Sequence, residues 1–285
     1  MSDTHDSHEQ PTPPAADAPP AVPPTDHART NPVPSDDAAP AGPATDSARG
    51  HPTPADRGAD DARPGTPCPY LADRWMRSEA YVADAIDGAT YELLMARWFR
   101  RSGRVVYRPR CPGCQACRPL RVPVTDFRRT RSMRRVWSRN RDVRVRVESP
   151  APSMDKFDIY RRYLDMQHDN AMARTFEAFV DFLYDSPLPM VEFDYYAGRR
   201  LIGVSLADRC PGGLSSVYMY FHPTERTRSL GTYSILWEIE HTRGEGLPYY
   251  YLGYHVAGSK TMDYKARFRP NEVLADDDRW VPFRV

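Results

Sequence analysis

The chain has 285 residues, 40% of them hydrophobic, which suffices for one large or two small domains with a core. Its formal net charge of +1 hides a division: residues 1–66 carry four Lys/Arg against eleven Asp/Glu, while the 17 arginines within 97–146 meet only Asp126 and Asp142. A block that basic points to a polyanion partner. The polar, acidic start lacks an apolar signal region, no apolar run approaches a membrane span, and three of the five cysteines fall in one short cluster, so export, membrane insertion and a secreted disulfide framework are excluded and the cytoplasm is expected.

Residues 1–66 are rich in Pro, Ala, Asp and Thr and nearly devoid of large apolar side chains, so they are expected to form a disordered tail. The folded part should begin near Cys68, with a small basic, cysteine-containing domain over 67–149 and a second domain over 150–285. Residues 89–101 place Leu93, Leu94, Trp98 and Phe99 between arginines and predict an amphipathic helix with a basic face. Ser102-Gly103 ends it, and 105–107 reads as a strand. Cys111, Cys114 and Cys117 form two overlapping Cys-x-x-Cys units, with Cys68 the candidate fourth thiol for zinc or an iron–sulfur cluster; a metal-free loop of packed thiols is the other reading. Thr130 or Ser132 can cap a helix in which Arg131, Arg134, Arg135 and Arg139 fall on one face, suited to successive phosphates. A strand over 141–147 closes this half.

After Pro150 and Pro152, residues 156–168 and 175–183 read as helices and 190–196 as a strand. His168 is a conceivable base, although a surface or capping role suits it better. Strands over 201–207 and 216–221 flank a Cys-Pro-Gly-Gly turn, a helix follows over 228–240, and 249–252 is a further strand. This order, with Arg228-Ser-Leu-Gly231-Thr-Tyr233 opening the helix, resembles the GNAT N-acyltransferase fold, whose glycine-containing motif holds a pyrophosphate on bare helix amides. The expected class is therefore α/β (α+β), GNAT-like at the C-terminus. Tyr233 departs from the small residue of that motif and crowds a coenzyme A pyrophosphate.

The run Tyr251-Leu-Gly-Tyr254-His255, then Lys260-Thr-Met-Asp-Tyr264-Lys265-Ala-Arg267-Phe-Arg269-Pro270, resembles the C-terminal signature of the aminoacyl-tRNA–protein transferases, the arginyltransferases and the bacterial aspartate/glutamate leucyltransferases. Arg121-Val-Pro-Val and the arginine-rich stretch after Phe127 resemble their N-terminal region. The resemblance runs from Cys68 to about Leu274 and implies transfer of leucine from Leu-tRNA to proteins beginning with Asp or Glu, as in an N-degron pathway, with no cofactor needed for transfer. It implies arginine as the alternative donor group. In the arginyltransferases a Cys-x-Tyr-Cys motif accompanies iron–sulfur binding; Cys68 matches its first position, but Leu71 stands at its second.

On this reading Arg131, Arg134, Arg135 and Arg139 bind tRNA, and Tyr218, Tyr254 and His255 are the candidates for oxyanion donor and proton acceptor. Lys265, Arg267 and Arg269, alternating on an extended segment, should form a cationic floor for the acceptor's carboxylate, with Lys260, Arg228 and Gly231 nearby. A coenzyme A-dependent acetyltransferase explains Arg228–Tyr233 but not the basic block; a zinc-bearing RNA-binding protein explains the block but leaves the acyltransferase half without purpose.

Overall fold

The computed structural model describes residues 65–72, 74–167 and 174–283. The expected tail, apart from its last two residues, and His168 lie outside the described residues. Two short strands, β1 (Thr66–Pro67) and β2 (Trp75–Met76), pair with each other. A three-stranded sheet follows from β3 (Ser78–Val82), β4 (Arg100–Ser102) and β5 (Val105–Pro109), in the order β3-β5-β4.

The main sheet has eight strands: β6 (Arg118–Pro123), β7 (Val143–Glu148), β8 (Met190–Ala197), β9 (Arg200–Cys210), β10 (Gly213–Phe221), β11 (Tyr249–His255), β12 (Glu272–Leu274) and β13 (Trp280–Pro282). Their order is β13-β12-β6-β11-β10-β9-β8-β7, so strands from both sides of the 149/150 boundary share one sheet. β6 sits between β12 and β11, antiparallel to both. Only β10 and β11 run parallel, joined by α5 (Leu230–Gly244) as a crossover helix.

One face of this sheet packs on α5 and α2 (Arg131–Arg139), burying Leu120, Val122, Phe193, Tyr195, Leu236, Ile239 and Tyr250. On the other face Val204, Leu206 and Tyr220 pack on α3 (Met154–Gln167) and α4 (Phe176–Leu183), through Tyr160, Leu164 and Phe179. Farther along that face α1 (Gly88–Met95) buries Tyr91 and Met95 beside Tyr251. The expected cap has a direct counterpart, since Thr130 accepts from the Met133 N–H; Thr175 caps α4 in the same way, accepting from the Ala178 N–H.

Two expected elements are corrected. The helix expected over 89–101 stops at Met95, and Trp98 takes a left-handed φ of 73°, its indole N–H held by Asp278 at 3.0 Å. Arg100 and Arg101 therefore lie in β4, buried, rather than on a solvated helical face. Gly103, at φ 56°, makes the tight turn into β5; a Cβ there would sit 2.6 Å from the Asp181 carbonyl. The segment carrying Lys265, Arg267 and Arg269 is not extended: Asp263–Arg267 is a 3₁₀ turn, so alternation does not apply.

Candidate functional site

The ladder between β10 and β11 is short. Gly213, Leu214 and Ser215 pair with Tyr249, Tyr250 and Tyr251, and then both strands bulge, β10 between Ser216 and Tyr218, β11 between Tyr251 and Gly253. Beyond that point β10 continues with β9 and β11 with β6, but not with each other. The backbone groups of β11 that face β10 beyond Tyr251 have no ladder partner, so the two strands part at this end of the sheet.

Lys265 enters this region from the 3₁₀ turn. Its Nζ lies 3.6 Å from where a Cβ would stand on Gly253, whose φ of 76° only glycine adopts without strain. Burial, followed by the charge of Arg100, lowers the Lys265 pKa from the usual 10.5 to about 7. Arg100 is itself 5% exposed. Its Nη1 donates to the Phe99 carbonyl at 2.7 Å, while Nε and Nη2 have no hydrogen-bond partner among the described residues. Its guanidinium lies 5.6 Å from the centre of the Tyr254 ring. The neighbouring Arg101 is used differently, in a buried ion pair with Asp208 at 2.6 Å.

The other expected cations do not join Lys265. Lys260, Arg267 and Arg269 are exposed, and Arg269 donates to the Ala266 carbonyl. The three-cation floor is thus reduced to one inward lysine, because a 3₁₀ turn does not place i, i+2 and i+4 on one side. Arg228 is committed to Asp142 (2.8 Å) and Glu225 (2.7 Å), which raise its pKa and tie the helix start to β7. Gly231, in the first turn of α5, has open space where a side chain would be.

Tyr254 packs beside Arg100, and its hydroxyl donates to the Trp98 carbonyl; burial pushes its pKa up. Tyr218 lies in an aromatic cluster with Tyr160, Tyr163 and Phe182, also raised by burial. His255 is buried with Nε2 3.0 Å from Asp263 Oδ1, and its ring packs on Phe283. That contact anchors the turn bearing Lys265 to β11.

Arg131, Arg134, Arg135 and Arg139 are all exposed along α2, and none pairs with a carboxylate among the described residues; together with Ser138 and Arg141 they line one shallow groove. Met133 and Asn140 face inward, the latter bonded to the Arg228 carbonyl, and so fix the roll of this helix.

Cys117 is raised to about 12 by burial, then by Cys111, Cys68 and Cys114, so the four thiols are neighbours. Cys111, Cys114 and Cys117 border a cavity of about 230 Å³ lined also by Trp98, Arg108 and Asp276. Among the described residues, however, no three His, Cys, Asp or Glu side chains are arranged to hold a metal ion. The residues as placed do not fit zinc or a cluster, and no step is derived through one.

Two charged groups escaped sequence reading. Arg100 was absorbed into the helix; the Ser102-Gly103 turn after it was the signal for a hairpin instead. Glu238 of α5 is fully buried and accepts hydrogen bonds from Tyr250 (2.5 Å), Ser205 (2.7 Å) and Tyr195 (3.1 Å), and burial raises its pKa to about 7. Its three donors come from three strands, a convergence with no local signal.

The family model described as arginine-tRNA-protein transferase, N terminus, matches residues 66–135, and that for the C terminus matches 155–275. A protein of Hahella chejuensis named aspartate/glutamate leucyltransferase is 38% identical over 225 residues, 77% of this chain and 95% of the relative. Proteins of the same name from Nitrosococcus oceani and Stenotrophomonas maltophilia are 40% and 41% identical, each over 76% of this chain and 92% and 90% of their own lengths. A solved domain of a lysylphosphatidylglycerol synthetase from Agrobacterium fabrum matches at a TM-score of 0.39 and 14% identity, over 50% of this chain and 47% of that one.

Proposed function

Because the chain belongs to the arginine-tRNA-protein transferase family and is an aminoacyl-tRNA–protein transferase, we propose that it moves leucine from Leu-tRNA onto proteins whose N-terminal residue is Asp or Glu, marking them for degradation. Leucine and the acidic acceptor come from the names of the relatives. The observation that carries the acceptor assignment is Lys265: an inward amine, lowered to about 7, with no acidic group offsetting its burial, is a site waiting for a carboxylate. The short parallel β10–β11 ladder with its crossover helix supports reading the C-terminal half as a GNAT-type acyltransferase.

In this mechanism the exposed arginines of α2 hold tRNA phosphates and set its orientation without reading bases. The aminoacyl ester enters where β10 and β11 part. The acceptor's neutral α-amine, with an ordinary pKa near ~7.7–8.0, attacks the ester carbonyl. A C–N bond forms, the C–O bond to the ribose breaks, and the amine's proton leaves, ultimately to the ribose oxygen. The ester is already activated, so alignment supplies most of the acceleration. Unpaired β11 amides and the Tyr254 hydroxyl, once released from Trp98, are the donors for the oxyanion. His255 acts by holding the Lys265 turn in place. The coenzyme A reading leaves the exposed arginine groove of α2 without a role, and Arg228 is already paired with Asp142 and Glu225.

Labelled Leu-tRNA and Arg-tRNA, each offered with peptides beginning Asp, Glu, Arg or Met, test the proposal. Label should pass from Leu-tRNA to the Asp and Glu peptides alone, without coenzyme A. Transfer from Arg-tRNA but not Leu-tRNA, or equal labelling of the Met peptide, would overturn it.

A further inference from the structure

We infer that Arg100 is a second specificity determinant of the acceptor site: a guanidinium kept buried and unpaired behind Lys265 so that only an acceptor bearing a side-chain carboxylate supplies the missing counter-charge. The inference rests on the acceptor reading above and deepens it, since no sequence pattern named Arg100.

A buried arginine is ordinarily paired, because an isolated charge away from water costs several kcal/mol. Arg101 obeys this rule through Asp208, with both side chains essentially inaccessible. Arg100, one residue earlier on the same strand, does not. It keeps one bond, to the Phe99 carbonyl, and leaves Nε and Nη2 unbonded among the described residues. Its surroundings are Tyr254 of β11, Tyr107 of β5, Tyr91 of α1 and Lys265 of the 3₁₀ turn; Asp208 feels its charge but hydrogen-bonds Arg101 instead, through Oδ1. Two cations thus face each other with one acid between three basic groups. Such an arrangement is unfavourable until an anion enters, and the same imbalance appears at Lys265, whose pKa burial and then the charge of Arg100 lower to about 7.

A carboxylate suits the vacancy. It is planar and small, and it accepts from Nε and Nη2 side by side while Lys265 donates to its other lone pairs. Rejection of uncharged residues follows: an Asn or Leu side chain in the same place leaves the guanidinium unpaired. For Arg100 to be reached, the Tyr254–Trp98 contact that covers this corner must loosen. Acceptor binding then frees the Tyr254 hydroxyl at the moment an oxyanion donor is needed.

The test uses the full chain with Leu-tRNA and matched peptides beginning Asp or Asn, comparing wild type with Arg100→Met and Arg100→Lys. The Asp-over-Asn preference in kcat/KM should fall by about tenfold to a hundredfold in Arg100→Met, through KM for the peptide, and return in part in Arg100→Lys. KM for Leu-tRNA should not move. Thermal unfolding separates this from a structural role: Arg100→Met should melt no lower than wild type, because the unpaired charge is gone. If Arg100→Met does not fold, protection of the wild type by the Asp peptide, retained in part in Arg100→Lys and absent with the Asn peptide, stands as support, and equal protection by both peptides overturns the proposal. An unchanged Asp-over-Asn preference overturns it, as does a rise in KM for Leu-tRNA alone, which would place Arg100 against the nucleic acid. A wild type without preference for Asp or Glu peptides defeats the acceptor reading itself, and this proposal with it.

Discussion

Replacing Lys265 with methionine removes an ammonium that the fold holds at a cost, and the cost can be worked from the structure. The amine's pKa falls from 10.5 to about 7. At about 1.36 kcal/mol per unit, charging it in the native state costs up to about 5 kcal/mol, an upper limit because the side chain keeps some contact with solvent. Between pH 7 and the ordinary lysine value the unfolded chain binds more protons than the native one, so wild-type stability rises with pH across that window. Below pH 7 both states are protonated and the full cost is present. From pH 7 to pH 9 the wild type should gain about 2 kcal/mol relative to Lys265→Met. The tyrosines facing the amine do not confuse the difference: Tyr107 and Tyr254 are both raised by burial and stay neutral. Urea unfolding of both proteins at pH 6, 7, 8 and 9 measures it. Parallel stability curves would refute the account of Lys265 as an uncompensated inward amine. With Lys265→Met the KM for an Asp peptide should also rise at least tenfold, since a charge-assisted bond is lost.

Converting Arg131, Arg134, Arg135 and Arg139 to Gln should reduce the slope of log affinity for tRNA against log salt by about 3, with little change in melting temperature; filter binding across a salt series checks this. Glu238→Gln should alter the pH profile in the opposite sense to Lys265. The folded pKa of about 7 lies above the ordinary 4.5, so the stability from the buried acid is complete below 4.5 and lost as pH rises through 7, by about 3 kcal/mol, and the glutamine variant should lack that decline in unfolding at pH 5 and pH 8. Asp208→Asn should destabilise by about 3–5 kcal/mol because it strands the Arg101 charge, again read by urea unfolding. Gly253→Ala should cost about 1–2 kcal/mol from its left-handed backbone and raise KM for the acceptor, since the new methyl meets Lys265 Nζ.

The family and most elements were legible because their signals are local. Thr130 caps α2, and the four arginines at i, i+3, i+4 and i+8 share an exposed face because a helix repeats every ~3.6 residues. The strands over 190–221 and the Cys-Pro-Gly-Gly turn likewise follow from alternation and turn chemistry. The cationic segment at 265–269 was misread because alternating charge has the same spacing in a strand and in an irregular turn; the cis Arg269–Pro270 bond and the His255–Asp263 contact belong to the second.

What the sequence determined by itself, then, is the kinship, the basic helix and the mixed α/β class. Tertiary structure alone decided which charges are neutralised. Arg100 and Arg101 are adjacent and chemically identical, yet Asp208, more than a hundred residues away on β9, forms a hydrogen-bonded ion pair only with the second. Likewise β6 leaves its own sequence neighbours to lie between β11 and β12, bringing the hairpin that carries Arg100 to the bulge at Gly253. The energy of a charge depends on what stands beside it in space, and that neighbour is set by chain topology rather than by the residues on either side.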